Sequence, residues 1–200
     1  MGNGDFQVSL DKPLGIILEE REGSGGVKVG SLIKGGNAAS SESIVPGDVL
    51  IKVQDTDVSE SDFETVMEVI GSAPTSVCLT LSDGLGTMDI TPNLAKRLSL
   101  EEAIYADAVV RAAVREIRRN GKLGGVVAVE IVIGAALRKD DGACLVRFFA
   151  IFSTDGVSTY SCNVSATGRR NSDGNIDVIG LSCAKDEGLG QTIDLILEKK

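Results

Sequence analysis

Apolar and polar residues alternate along Phe6-Gln7-Val8-Ser9-Leu10, the period of a half-buried strand. Lys12-Pro13-Leu14-Gly15 breaks that pattern with a proline and a glycine before Ile16-Ile17-Leu18 resumes it, so this stretch reads as strand, tight loop, strand. Short apolar runs at 27–29, 49–53 and 77–81 predict further strands, with Gly and Asp clustered between them. A helix is written between the last two. Ser59 to Asp62 offers N-capping side chains, Phe63, Val66, Met67 and Ile70 follow at i, i+3, i+4 and i+7, and Gly71 is expected to end it. The pieces predict a small β-barrel with one long helix over residues 1–83.

Residues 84–98 hold Gly84, Gly86, Pro92 and Asn93 with little periodicity and read as a linker to a second domain over 99–200. That domain opens on a helix. Ser99-Leu100-Glu101-Glu102 has the spacing of a capping box, strong helix formers fill 103–117, Arg115, Arg118 and Arg119 sit near the end where the helix dipole favours cations, and Gly121 stops it. Apolar runs at 125–138, 144–153, 157–167, 176–184 and 189–198 then predict an antiparallel meander.

Turn chemistry proposes a register for that meander. Asp141-Gly142 as a two-residue type I′ loop pairs Leu137 with Val146, Ala135 with Phe148 and Ile133 with Ala150. A three-residue loop at Thr154-Asp155-Gly156 pairs Val146 with Val164, Phe148 with Cys162 and Ala150 with Tyr160. The helix is expected to cover the face carrying Ile131, Val146 and Phe148. The 144–153 strand is also apolar on its other side, at Leu145, Phe149 and Ile151, which marks those three residues as a candidate partner interface.

Composition narrows the function classes. There is no histidine among the 200 residues, which removes the commonest general base, the commonest metal ligand and every Ser-His or Cys-His nucleophile. Cys78, Cys144, Cys162 and Cys183 lack metal-ligand or redox spacing, and no disulfide is expected. Neither a metal nor another cofactor is predicted, and an enzyme is disfavoured. Residues 1–90 carry 5 Lys/Arg against 15 Asp/Glu, whereas residues 91–200 are near neutral. An acidic first half repels phosphate backbones and anionic lipid, so nucleic acid is not an expected partner. No apolar run is long enough for a transmembrane segment, and the first residues lack the pattern of a signal peptide.

The order of pieces over residues 6–83 resembles the PDZ family. Lys12-Pro13-Leu14-Gly15-Ile16 is similar to its carboxylate-binding loop, Gly35 to Ala39 to its short-helix entry, Pro46-Gly47-Asp48-Val49-Leu50 to its G-D-x-[IL] strand, and Phe63 to Ile70 to its ligand-side helix. The fold class implied is α+β, a PDZ-like β-barrel with helices followed by a helix plus antiparallel β-meander that is only loosely similar to cystatin-like folds. The resemblance implies a peptide-binding site made by Lys12, Leu14, Gly15, Ile16, Leu18, Phe63, Met67 and Ile70. Backbone N–H groups of Leu14, Gly15 and Ile16 would hold a peptide's terminal carboxylate, and the peptide would add as a strand beside Ile16 to Glu20. Many members carry a histidine where this chain has Phe63, which implies an apolar ligand residue two before the end. The acidic rim of Glu19, Glu20 and Glu22 would favour Lys or Arg further upstream.

The expected function is a non-catalytic adaptor or accessory subunit that binds protein partners, through a C-terminal or extended peptide, as part of a larger complex. Lys12 to Glu20 resembles PDZ proteins of algal plastids, which points to the stromal side of the thylakoid, with the cytoplasm as the alternative compartment, and to holding or assembling a photosynthetic membrane complex. Two alternatives stand beside it: a regulatory peptide-binding module of a protease or signalling complex, and a small-ligand enzyme in the second domain.

Overall fold

The computed structural model describes residues 4–21, 23, 25–154, 158–185 and 192–194, which divide into two compact units, 1–86 and 87–200. In the first, strands β1 (Asp5–Asp11), β2 (Ile16–Glu20), β3 (Val27–Leu32), β4 (Val49–Val53), β5 (Thr56–Asp57) and β6 (Ser76–Ser82) form one sheet in the order β1-β6-β4-β3-β2, with β5 on β4. Short helix α1 (Asn37–Ser40) follows β3, and α2 (Phe63–Ser72) lies between β5 and β6. Inward residues of the strands, among them Leu10, Val27, Val29, Leu50, Val53, Val77, Leu79 and Leu81, build the core with Val66 of α2. Period-two alternation puts them on one face, and in β4 an irregularity between Leu50 and Lys52 returns Val53 to the face of Leu50.

Asp62 caps α2 by accepting the Thr65 N–H at 2.8 Å, and hydrogen bonding from Thr65, by its side chain first and its backbone N–H second, holds the carboxyl below the ordinary aspartate range. The helix runs past Gly71 and ends at Ala73, whose backbone is extended. Pro74 explains this, because a residue before proline is pushed out of the helical region. The stripe is only partly packed: Val66 is fully buried, whereas Phe63 and Met67 are 37% and 45% exposed.

The second unit begins earlier than a linker ending at 98 would allow. Val132 N–H donates to Asp89 C=O and Thr91 N–H to Val132 C=O, α3 (Pro92–Ala95) follows, and Leu94 is buried. Residues 87–98 therefore belong to this unit, held by one short parallel bridge and one apolar anchor. Helix α4 (Leu100–Asn120) carries both halves of its capping box, Ser99 N–H to Glu102 Oε2 at 2.8 Å and Glu102 N–H to Ser99 Oγ at 3.2 Å, and ends on left-handed Gly121. It packs across β7 (Gly125–Leu137), β8 (Cys144–Ser153), β9 (Thr159–Arg170) and β10 (Ile176–Lys185), with β11 (Thr192–Asp194) paired to β10.

Helix-then-meander is observed, with a register two residues away from expectation at both hairpins. Leu137 pairs with Cys144 and Ala135 with Val146. Phe148 pairs with Val164, and Ala150 with Cys162. At the first turn Arg138 N–H donates to Ala143 C=O and Gly142 N–H to Arg138 C=O, so four residues, not two, make the loop. Asp141 fixes it: its carboxylate accepts the Ala143 N–H and binds both Arg138 and Arg169. The loop expected at 154–156 falls partly outside the described residues. β7 also bulges after Val126, Val129 and Val132. The bulges turn Val132, not Ile131, towards α4, and Ile131 pairs with Phe149 on the opposite face. All four cysteines are free thiols.

Candidate functional site

Strand β2 is an edge of the first sheet, so one side of its backbone is not used by β3. Ile16 stands opposite Leu32, and Ile33 N–H donates to Gly15 C=O at 2.9 Å. That bond makes Ile16–Leu32 a pair without mutual hydrogen bonds, which turns the Ile16 N–H and C=O outward. An extended segment can dock there.

The loop before β2 is held from behind. Asn37 Nδ2 donates to Asp11 C=O at 2.8 Å and to Pro13 C=O at 3.1 Å, Ala38 N–H to Leu14 C=O at 2.9 Å, and Ile33 N–H to Gly15 C=O. Among the described residues the Leu14 and Gly15 N–H groups donate to no backbone carbonyl. The carbonyls of Pro13, Leu14 and Gly15 are spent, and the N–H groups of Leu14 and Gly15 remain. Gly15 makes this possible: its φ is +73°, and a Cβ there would meet Gly36 Cα at 3.0 Å and Asn37 N at 3.3 Å.

Between β2 and α2 lies a groove of about 690 Å³. Leu14, Ile16 and Leu18 form one wall, Met67 and Ile70 the other, and Leu50, Leu79 and Leu81 the floor. Lys12 and Gly15 line it as well. Phe63, at the first turn of α2, does not. Pro13, Val29, Ile33, Gly71 and the three floor leucines were not among the expected residues. Leu79 and Leu81 were legible in the alternation of β6, whereas Leu50 sits in an apolar run without alternation and Ile33 lies in a turn with no periodic signal.

Of the expected acidic rim, Glu19 leans over Gly30 and pairs with Lys28 at 3.8 Å, Glu20 is exposed, and Glu22 lies outside the described residues. In the second unit Leu145, Phe149 and Ile151 share the sheet face opposite α4, with Leu145 40% exposed and the other two half-buried. The apolar part of that face is a strip along β7 and β8. Across β9 the same face carries Ser161, Asn163, Ser165 and Thr167. Among the described residues no cluster of His, Cys, Asp or Glu is placed to hold a metal, and no helix is long and apolar enough to cross a membrane.

Residues 6–82 match the family model of the PDZ domain. Among solved structures, the second PDZ domain of Dlg1 from the choanoflagellate Monosiga brevicollis is similar in two crystal forms. One has 19% identity and a TM-score of 0.37 over 40% of this chain and 92% of that one. The other has 18% and 0.38 over 40% and 98%. No curated protein matches the chain.

Proposed function

With residues 6–82 a PDZ domain, a non-catalytic protein-interaction module, we propose that this protein is an adaptor or accessory subunit that captures the C-terminal peptide of a partner. The observation that carries the reading is the end of the groove at Leu14 and Gly15, whose N–H groups donate to no backbone carbonyl among the described residues while the carbonyls of Pro13, Leu14 and Gly15 are occupied. A terminal carboxylate is the peptide group that accepts several such bonds at once. The last ligand side chain enters between Ile16, Leu18, Met67 and Ile70, and the preceding residues pair with the outward backbone of β2. The charge of the first 90 residues, 5 Lys/Arg against 15 Asp/Glu, favours a ligand with Lys or Arg upstream.

The apolar strip at Leu145, Phe149 and Ile151 is the second surface we assign to complex assembly. Resemblance of the Lys12 to Glu20 segment to algal plastid PDZ proteins makes a photosynthetic membrane complex the first place to seek the partner. The test is selection of the full chain against a display library of free C-terminal heptapeptides, beside the Gly15→Asp variant. Enrichment of sequences with an apolar terminal residue, lost in the variant, supports the reading. Enrichment that survives Gly15→Asp, or none, refutes it.

A further inference from the structure

A lysine opening a carboxylate-binding loop invites the assignment of its ammonium to the anion, but here the ammonium is committed elsewhere. Lys12 Nζ donates to Gly71 C=O at 3.0 Å and to Ala73 C=O at 2.6 Å, the exposed carbonyl end of α2. The last turn of α2 has no basic residue of its own, so Lys12 supplies across the groove the cation that a helix C-terminus favours. Its backbone N–H donates to Thr75 C=O at 2.8 Å, which ties the same loop to the α2–β6 connection a second time. The two walls of the groove meet at this point.

We infer that Lys12 is a positioning residue, a latch that fixes the distance between the carboxylate loop and α2, and that the backbone of Leu14, Gly15 and Ile16 holds the anion without it. This rests on the groove reading above. The latch joins the loop that bears Leu14 to the helix that bears Met67 and Ile70, so it sets the width of the pocket for the ligand's last side chain. A groove held at its bound width has less ordering left to do on binding, and affinity gains accordingly. Every part of the ligand then benefits from Lys12, not only its charged end.

That last consequence separates a latch from a ligand contact. The probe is a fluorescent octapeptide with two arginines upstream and the ending Leu-Ser-Leu, made as free acid and as C-terminal amide, titrated against the full chain and its Lys12→Met and Lys12→Arg variants. Lys12→Met is expected to weaken both peptides by the same factor, roughly 3- to 10-fold, because it removes two charge-assisted hydrogen bonds but leaves the anion's donors in place. Arginine also reaches two carbonyls and restores both. Without peptide, the Ala73 amide of Lys12→Met exchanges faster while those of Val77, Leu79 and Leu81 keep their rates, which shows that the domain stays folded.

Weakening of the free acid alone, with Ala73 unaffected, assigns Lys12 to the anion and overturns the latch. No change in affinity or exchange overturns it too. If the wild-type chain binds neither peptide, the groove reading fails on its own. The exchange rate of Ala73 in the free chain still decides the latch, faster exchange supporting it and an unchanged rate refuting it.

Discussion

Gly15 and Gly35 both have left-handed backbones, at φ +73° and +75°, yet only one is crowded. A Cβ at Gly15 meets backbone atoms of Gly36 and Asn37 at 3.0–3.4 Å, whereas one at Gly35 meets nothing within 4 Å. Alanine at either position therefore costs the left-handed penalty, about 1–2 kcal/mol. At Gly15 overpacking against main chain that cannot swing aside adds about 1–3 kcal/mol. The assay is native-state hydrogen exchange of the β6 amides in the full chain, which reports the opening free energy of this unit alone. Gly15→Ala should lower β6 protection by roughly 5- to 150-fold more than Gly35→Ala does. Binding should separate the pair further, because relief of the clash moves the loop's free N–H groups off the ligand. Gly35→Ala should keep wild-type affinity for a C-terminal peptide. Equal loss of protection in the two variants, or full binding by Gly15→Ala, would show that the loop is not braced on α1 and would remove the basis for the donor end of the groove.

The second unit offers four further tests. Ser99→Ala should cost about 1 kcal/mol in urea unfolding by removing one half of the capping box. Glu102 is held below its ordinary value of 4.5, chiefly by the Ser99 backbone N–H. Its stabilisation is therefore complete above that value and is lost as pH falls through the lower folded value, so Glu102→Gln should flatten the acid limb of stability against pH; an unaltered limb refutes the assignment. Phe148→Ala, at a fully buried site, should cost about 3–5 kcal/mol, against less than about 1 kcal/mol for Leu145→Ala three residues away on the other face; equal costs would mean that the faces are misassigned. Burial pushes the Cys183 thiol up to about 12, so maleimide at pH 8 should leave it unmodified in the folded chain and label it on unfolding, as read by peptide mass spectrometry; labelling of the native protein would place it at the surface.

What could be read from the sequence depended on how local the cause was. The ends of α4 were legible because Ser99, Glu102 and Gly121 act within one turn of the helix they bound. Gly71 misled because the stop belonged to Pro74, whose effect falls on the residue before it. Both hairpins slipped by two residues for one reason: side chains alternate with period two, so any even shift keeps apolar opposite apolar, and the parity test cannot detect it. The first turn was decided by Asp141, which gathers Arg169 from a strand 28 residues away. Bulges in β7 then reversed the face of Ile131, which no alternation count could anticipate. In the groove, the loop glycine and the helix stripe were visible as patterns. The Asn37 brace and the Lys12 latch were not, because each joins positions 24 to 61 residues apart through a single side chain.

The kind of ligand the groove selects follows from which backbone groups are already spent. At Ile16 both N–H and C=O point outward, and any added strand can answer both. One residue earlier the balance changes. The carbonyls of Pro13, Leu14 and Gly15 are taken by Asn37, Ala38 and Ile33, while the N–H groups of Leu14 and Gly15 bond no backbone carbonyl among the described residues. A peptide that ran on past this end would bring its own N–H groups against a surface made of donors. Each one buried there without an acceptor costs about 1–3 kcal/mol, and two or three such groups exceed what a short added strand returns. A chain terminus has no further N–H to place, and its carboxylate offers only acceptors. On the proposed reading, the same accounting that closes the loop on α1 would select a peptide end over an internal segment.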